Sequence, residues 1–160
     1  MAVTDLFDLT GKVALITGGS RGLGKQMALA FAEQGADVVI TSRNIESCEQ
    51  VASAVEAMGR QAMPYACHVA RWDDLDGLVE AAYNRFGKID ILVNNAGMSP
   101  LYPSLLDVNE KLWDAVLGVN LKGPFRLSAL VGTRMVADGG GSIINVSSTA
   151  SMHPGAGVAP

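Results

Sequence analysis

Residues 17–24 read Thr-Gly-Gly-Ser-Arg-Gly-Leu-Gly, between the apolar run that ends at Ile16 and the helix-forming stretch Lys25–Gln34. A strand, a glycine turn and a helix in that order form a cradle for a diphosphate. Glycine lets the backbone turn sharply and come close to the phosphate oxygens. The uncapped N–H groups at the start of the helix, and its positive dipole end, then hold the negative charge. The spacing is Gly18-x-x-x-Gly22-x-Gly24 rather than G-x-G-x-x-G, but its position after a strand and before a helix is the one a dinucleotide site needs.

Working outward, short apolar runs alternate with amphipathic stretches. The pattern predicts strands at Val13–Thr17, Asp37–Ser42, Gln61–Cys67 and Ile89–Val93, with a fifth strand, INVS, inside Gly141–Ser147. Helices are predicted at Leu23–Gln34, Ile45–Met58, Asp73–Phe86 and Asn109–Ala137, the last bent near Gly123-Pro124. Asn44 is a candidate N-cap. Pro64 places the third strand at a sheet edge. Asn94–Asp107 reads as a loop, and from Ser148 onward no helical period is visible. Alternation of this kind predicts a doubly wound parallel sheet, an α/β/α Rossmann-type fold of about five strands. No repeat or linker divides the chain, so residues 1–160 are expected to form one domain, incomplete at its C-terminal end.

Composition excludes several functions. Of 160 residues 49% are apolar, and the net charge is −4. That charge leaves no footprint for nucleic acid or an anionic membrane. Cys48 and Cys67 form no C-x-x-C pair, and no Cys/His spacing resembles a metal site. They read as small thiols in a reducing compartment. The N-terminus lacks the basic start and long apolar run of a secretion signal. No run of about 18 apolar residues offers a membrane span. A cytoplasmic protein is the expectation.

The remaining candidates lie at predicted strand ends, where ligands bind in such sheets. The second strand ends Thr41-Ser42-Arg43-Asn44, without the carboxylate that would bond the ribose hydroxyls of NAD. Arg43, with Arg21 in the glycine turn, is suited to a 2′-phosphate, so NADP is favoured over NAD. Arg43 is also compatible with a plain surface turn. Asn95-Ala96-Gly97 follows the fourth strand and reads either as a sharp turn or as a pocket wall. Ser148, at the fifth strand's end, and Asn120, within the long helix, carry no assignment by composition alone.

Together TGGSRGLG (17–24), NNAG (94–97), VNLKGPF (119–125) and SIINVSS (142–148), in this order, resemble the short-chain dehydrogenase/reductase family over essentially the whole chain. The resemblance implies hydride transfer between a nicotinamide cofactor and a ketone or secondary alcohol, with a 3-oxoacyl reductase among the candidates. It implies that Ser148 bonds the substrate oxygen and that Asn120 supports a water in a proton relay. Gly18, Ser20, Arg21, Gly22, Leu23, Gly24, Ser42, Arg43, Asn44, His68, Val69, Asn95, Ala96 and Gly97 would line the cofactor. His68 departs from the pattern, which often has Asp there, against the adenine. The family's general acid, a Tyr in Tyr-x-x-x-Lys, would fall just beyond Pro160. Tyr65, Tyr83 and Tyr102 lie in no such motif. The chain therefore reads as the N-terminal part of a longer reductase, inactive alone. The alternative is a non-catalytic NADP-binding module. The parent protein is expected to be a homodimer or homotetramer, and its partner a small carbonyl or alcohol.

Overall fold

Every residue of Val13–Thr17 is buried, as a strand must be when helices cover both faces of its sheet. The computed structural model describes residues 6–153 and Gly155. Its elements run β1 (Val13–Thr17), α1 (Gly22–Glu33), β2 (Asp37–Ser42), α2 (Ile45–Ala57), β3 (Ala62–Ala66), α3 (Trp72–Phe86), β4 (Ile91–Asn94), α4 (Glu110–Leu117), α5 (Gly123–Ala137) and β5 (Ser142–Asn145). The five strands are parallel, in the order β3-β2-β1-β4-β5. This is the predicted Rossmann-type doubly wound sheet. The start of the N-terminal segment, and the predicted irregular tail beyond His153 apart from Gly155, lie outside the described residues.

The pleat divides the core in two. Ala14, Ile16, Val38 and Ile40 pack with Ala28 and Ala32 of α1 and with Val51 and Val55 of α2. Val13, Leu15, Val39 and Leu92 point the other way, onto Leu75, Leu78 and Val79 of α3 and Leu127 and Val131 of α5. Successive side chains of one strand thus serve opposite layers. The chain leaves β1 toward β2 and β3, then crosses to β4 and β5. All five strands therefore open their C-terminal ends toward the same edge of the sheet, on either side of the switch in order.

Most expected boundaries hold within a residue or two, and β3 with Pro64 is an edge strand. Four differences stand out. The fourth strand begins at Ile91, not Ile89. Ile89 is buried, so its hydropathy matched a strand that the ladder does not include. The fifth strand is Ser142–Asn145, earlier than INVS. The long helix is interrupted at Gly118–Lys122 by a π turn, N-terminal to the expected bend. Pro124 lies at the start of α5, where a missing N–H is tolerated. Two 3-10 turns, Leu105–Asp107 and Thr149–Ser151, occupy segments read as loops.

Asp90 fastens the far edge of the sheet. Its carboxylate accepts from the Val13 N–H at 2.9 Å and from Lys88 and Lys12, and its carbonyl accepts from the Ser142 N–H. Burial pushes its pKa up, but these hydrogen bonds and the lysine charges together outweigh burial and hold it below the ordinary value of 3.8. A depressed carboxyl stabilises the fold above the unfolded-state pKa, and that contribution is lost as pH falls through the folded value. Asp90→Asn is therefore expected to lower the urea midpoint at pH 7 and to have a much smaller effect at pH 2. Equal loss at both values would rule out the charge as the cause.

Among the described residues no helix is long and apolar enough to cross a membrane.

Candidate functional site

The glycine turn joins β1 to α1, and each of its three spaced glycines answers a different demand. Gly18 has φ +63°, and a Cβ there would stand 3.0 Å from Asn95 Nδ2. Gly22 has φ +55° and open space around it, so it keeps the left-handed turn while leaving room above. A Cβ on Gly24 would meet the Gly18 carbonyl oxygen at 2.3 Å. The helix is packed against the turn at that point.

Arg21 is the N-cap of α1 and supplies no side-chain cap, and the first turn holds no acid. By contrast α2 and α4 are capped by Asn44 and Asn109, whose side chains accept from Ser47 N and Leu112 N. The first N–H groups of α1 thus receive nothing from the N-cap side chain, as is also true of α3, whose first turn instead holds Asp73 and Asp74. Ser20 is half-buried in the turn, and Leu23 is exposed at its mouth.

Thr17 locks this turn to the end of β4. Its buried hydroxyl donates to the Val93 carbonyl at 3.3 Å and accepts from the N–H groups of Asn95 and Ala96, each at 3.0 Å. Asn95 Nδ2 returns to the carbonyls of Thr17 and Gly18 at 2.9 and 3.3 Å. Asn94, at the end of β4, donates to Asn145 Oδ1 at 2.9 Å and Ser128 Oγ at 3.1 Å, tying β4 to β5 and α5. Sequence reasoning reached Asn95 but missed Thr17, because a threonine at a strand end has no distinguishing pattern.

At the end of β2, Ser42 and Asn44 close a tight turn through Ser42 Oγ. Arg43 is exposed between them, and among the described residues no ion pair involves Arg43 or Arg21. The first acid after β2 is Glu46, already within α2. After β3, His68 is half-buried, and its Nδ1 accepts from the Ala70 N–H at 3.2 Å. Val69 is buried against α5, where a Cβ on Gly123 would meet its carbonyl oxygen at 2.5 Å. Beside them, burial and then the charge of Asp74 push the Cys67 thiol up to about 11, so it is a poor nucleophile.

Asn120 lies in the π turn. Its Oδ1 accepts from the Met98 N–H at 3.0 Å and its Nδ2 donates to the Met98 carbonyl at 2.8 Å. The pair holds the loop after Gly97 against the helix. Pro124 has no N–H, so the bond an α-helix would run from residue 124 to the Asn120 carbonyl is missing. Ser148 follows β5 and caps the Thr149–Ser151 turn, its Oγ accepting from the Ala150 N–H at 3.2 Å. In that bond the hydroxyl uses a lone pair and keeps its proton for another acceptor.

The candidates therefore gather at one end of the sheet: most lie in or beside the loops that follow the strands, Gly22, Leu23 and Gly24 open α1, and Asn120 lies in the π turn. Thr17, Asn95, Ala96 and Gly18 form one bonded unit, and Asn120 joins Met98. Ser148, Arg43 and His68 are placed at that end by separate strands. The cradle fits a dinucleotide's diphosphate: it combines uncapped helix N–H groups, a left-handed glycine with open space above it, and a close helix–turn contact.

The sequence model of the short chain dehydrogenase family matches residues 12–160. "Dehydrogenase/reductase SDR family member 4" of Homo sapiens is 38% identical over 152 residues, covering 95% of this chain and 55% of that protein. The "3-oxoacyl-[acyl-carrier-protein] reductase FabG" of Thermotoga maritima is 38% identical over 145 residues, covering 91% of this chain and 58% of that protein. A metagenomic short-chain oxidoreductase solved in complex with NADP superposes with a TM-score of 0.90 at 36% identity, covering 94% of this chain and 68% of that one. A 7 alpha-hydroxysteroid dehydrogenase complexed with NADH gives 0.93 at 34% identity, covering 98% and 61%. The chain spans 55–61% of the length of the first curated relatives it matches. With this match, and with the glycine turn, the Asn95 lock and the Asn120 turn described above, the chain belongs to the short chain dehydrogenase family of oxidoreductases.

Proposed function

We propose that this chain is the nucleotide-binding part of an NADP(H)-dependent reductase acting on a ketone or its secondary alcohol. The observation that carries the choice of NADP is Arg43. It follows β2 directly, exposed and free of any ion pair among the described residues, with no carboxylate at the strand end. A guanidinium there suits a 2′-phosphate, whereas a carboxylate would suit the bare ribose hydroxyls. The bound nicotinamide would supply the hydride. The chain's own residues would do the rest: the N–H groups of α1 hold the diphosphate, Thr17 and Asn95 keep the turn rigid, and Ser148 donates to the substrate oxygen where charge develops. Asn120 would support a water near the reacting groups through its place in the π turn. The substrate is a small carbonyl or alcohol, with a 3-oxoacyl compound one candidate, and the whole protein is a cytoplasmic homodimer or homotetramer.

Calorimetric titration tests the cofactor. Arg43→Asp is expected to weaken NADPH by about a hundredfold, the loss of a charge-assisted pair plus a new repulsion, and to leave NADH within about threefold. Equal loss for both nucleotides would remove Arg43 from the ribose phosphate.

Residues 1–160 contain no Tyr-x-x-x-Lys. Without that acid, turnover should fall by orders of magnitude. The purified chain is expected to bind NADPH and to show no carbonyl reduction in an assay of absorbance at the nicotinamide band. Measurable turnover would refute the assignment of the missing acid. Saturable binding without catalysis is also what a cofactor-sensing module would show, and the intact uncapped start of α1 favours keeping that second reading.

A further inference from the structure

Ser42 stands at the centre of a contact that the nucleotide cradle does not use. Its Oγ donates to the Asn44 carbonyl at 3.1 Å and accepts from the Asn44 N–H at 3.3 Å. The Cys48 sulfur lies 3.1 Å from the same oxygen. A hydroxyl has one proton and two lone pairs. With its proton on Asn44 and one lone pair taken by the Asn44 N–H, only the second lone pair faces the thiol. The Asn44 carbonyl is a stronger acceptor than a thiol sulfur, so the hydroxyl proton is assigned to it and the Cys48 S–H to the remaining lone pair. This fills the hydroxyl's capacity, and Cys48, fully buried in the first turns of α2, anchors it from beneath. The Ser42 carbonyl is likewise occupied, by the Cys67 N–H at 2.9 Å.

We propose that Cys48 is a positioning residue for cofactor choice. Its thiol occupies Ser42, so the hydroxyl offers nothing to a ribose 2′-OH, and the pinned turn presents Arg43 outward as the one strong ribose-end contact. This rests on the NADP(H) reading and extends it to a residue that touches no part of the nucleotide. Removal of the S–H slackens the turn that carries Arg43 and loosens its hold on a 2′-phosphate, which shifts preference toward NADH.

The test titrates the full chain and its Cys48→Ala, Cys48→Ser and Cys48→Val variants with NADPH and NADH by calorimetry, with thermal midpoints recorded alongside. The readout is the ratio of the two dissociation constants. Cys48→Ala is expected to reduce the preference for NADPH about fivefold, the scale of one hydrogen bond. Cys48→Ser, which keeps a donor, is expected to restore it to within about twofold. A purely structural role would weaken both nucleotides together, in step with the thermal midpoint. An unchanged ratio in Cys48→Ala, or failure of Cys48→Ser to rescue it, overturns the proposal while leaving the NADP(H) reading intact. Parent protein that does not prefer NADPH overturns both, and is seen before any variant is made. If Cys48→Ala does not fold, Cys48→Val, which fills the space without a donor, carries the same readout: a reduced preference supports the proposal and an unchanged one overturns it.

Discussion

Exchange of Gly24 for alanine is expected to end NADPH binding and to destabilise the fold by about 2–3 kcal/mol, the range for forcing a methyl into a packed site. The added carbon would stand 2.3 Å from the Gly18 oxygen and 2.5 Å from Asn95 Nδ2. Neither neighbour can yield freely. The first is backbone, and the second is bonded to the carbonyls of Thr17 and Gly18. The helix must back away from the turn, which moves the N–H groups of α1 off the diphosphate. Gly59→Ala is the matched control. Gly59 has φ +79° and open space, so it loses about 1 kcal/mol to backbone strain and keeps its nucleotide. Calorimetry and urea denaturation on both variants check the pair. A folded Gly24→Ala chain that binds NADPH with parent affinity would remove the turn from the cofactor site.

Thr17→Val should be nearly as damaging to stability, although it changes shape very little. Valine removes three hydrogen bonds in a site where Thr17 is 1% exposed. The Asn95 N–H and the Val93 carbonyl keep their bond to each other at 3.1 Å, and the Ala96 N–H is left without its partner. An unsatisfied buried group loses about 1–3 kcal/mol. With one such group and two weakened ones the expected total is about 2 kcal/mol. The urea midpoint should fall with an unchanged slope, because the same surface is exposed on unfolding. Nucleotide affinity should fall as well, since Thr17 is bonded both to the end of β4 and to the loop that backs the glycine turn. A loss under about 1 kcal/mol would show that the loop finds other partners.

The sequence was informative where one chemical need dictated one residue type. A left-handed φ at Gly22 and the contact at Gly24 both demand glycine, so the turn was legible by itself. Strands β1, β2 and β4 were legible because both faces are covered there and Val, Ile and Leu dominate their runs. Asn44 was legible as a cap because its side chain serves the helix next to it. What stayed hidden was cooperation between distant residues. Thr17 and Asn95 lie far apart in sequence, and no local pattern links them. Cys48 reads as a small buried thiol until Ser42 is seen beside it. Ile89 misled the strand boundary because burial and strand pairing produce the same hydropathy. The π turn at Gly118–Lys122 was read as a bend at Gly123-Pro124, since proline is the visible helix breaker and a widened turn leaves no compositional trace.

That widened turn sets a phase relation. An extra residue in a helix rotates everything after it by roughly 100°. The stripe Leu127–Val131–Met135 can then face α3 and the sheet while Asn120, about two turns upstream, reaches a different surface. Excision of a single residue from 118–122 would bring the two faces into register and swing the carboxamide away from Met98. Relatives of this chain should therefore accept substitutions throughout that stretch far more readily than they accept a change in its length.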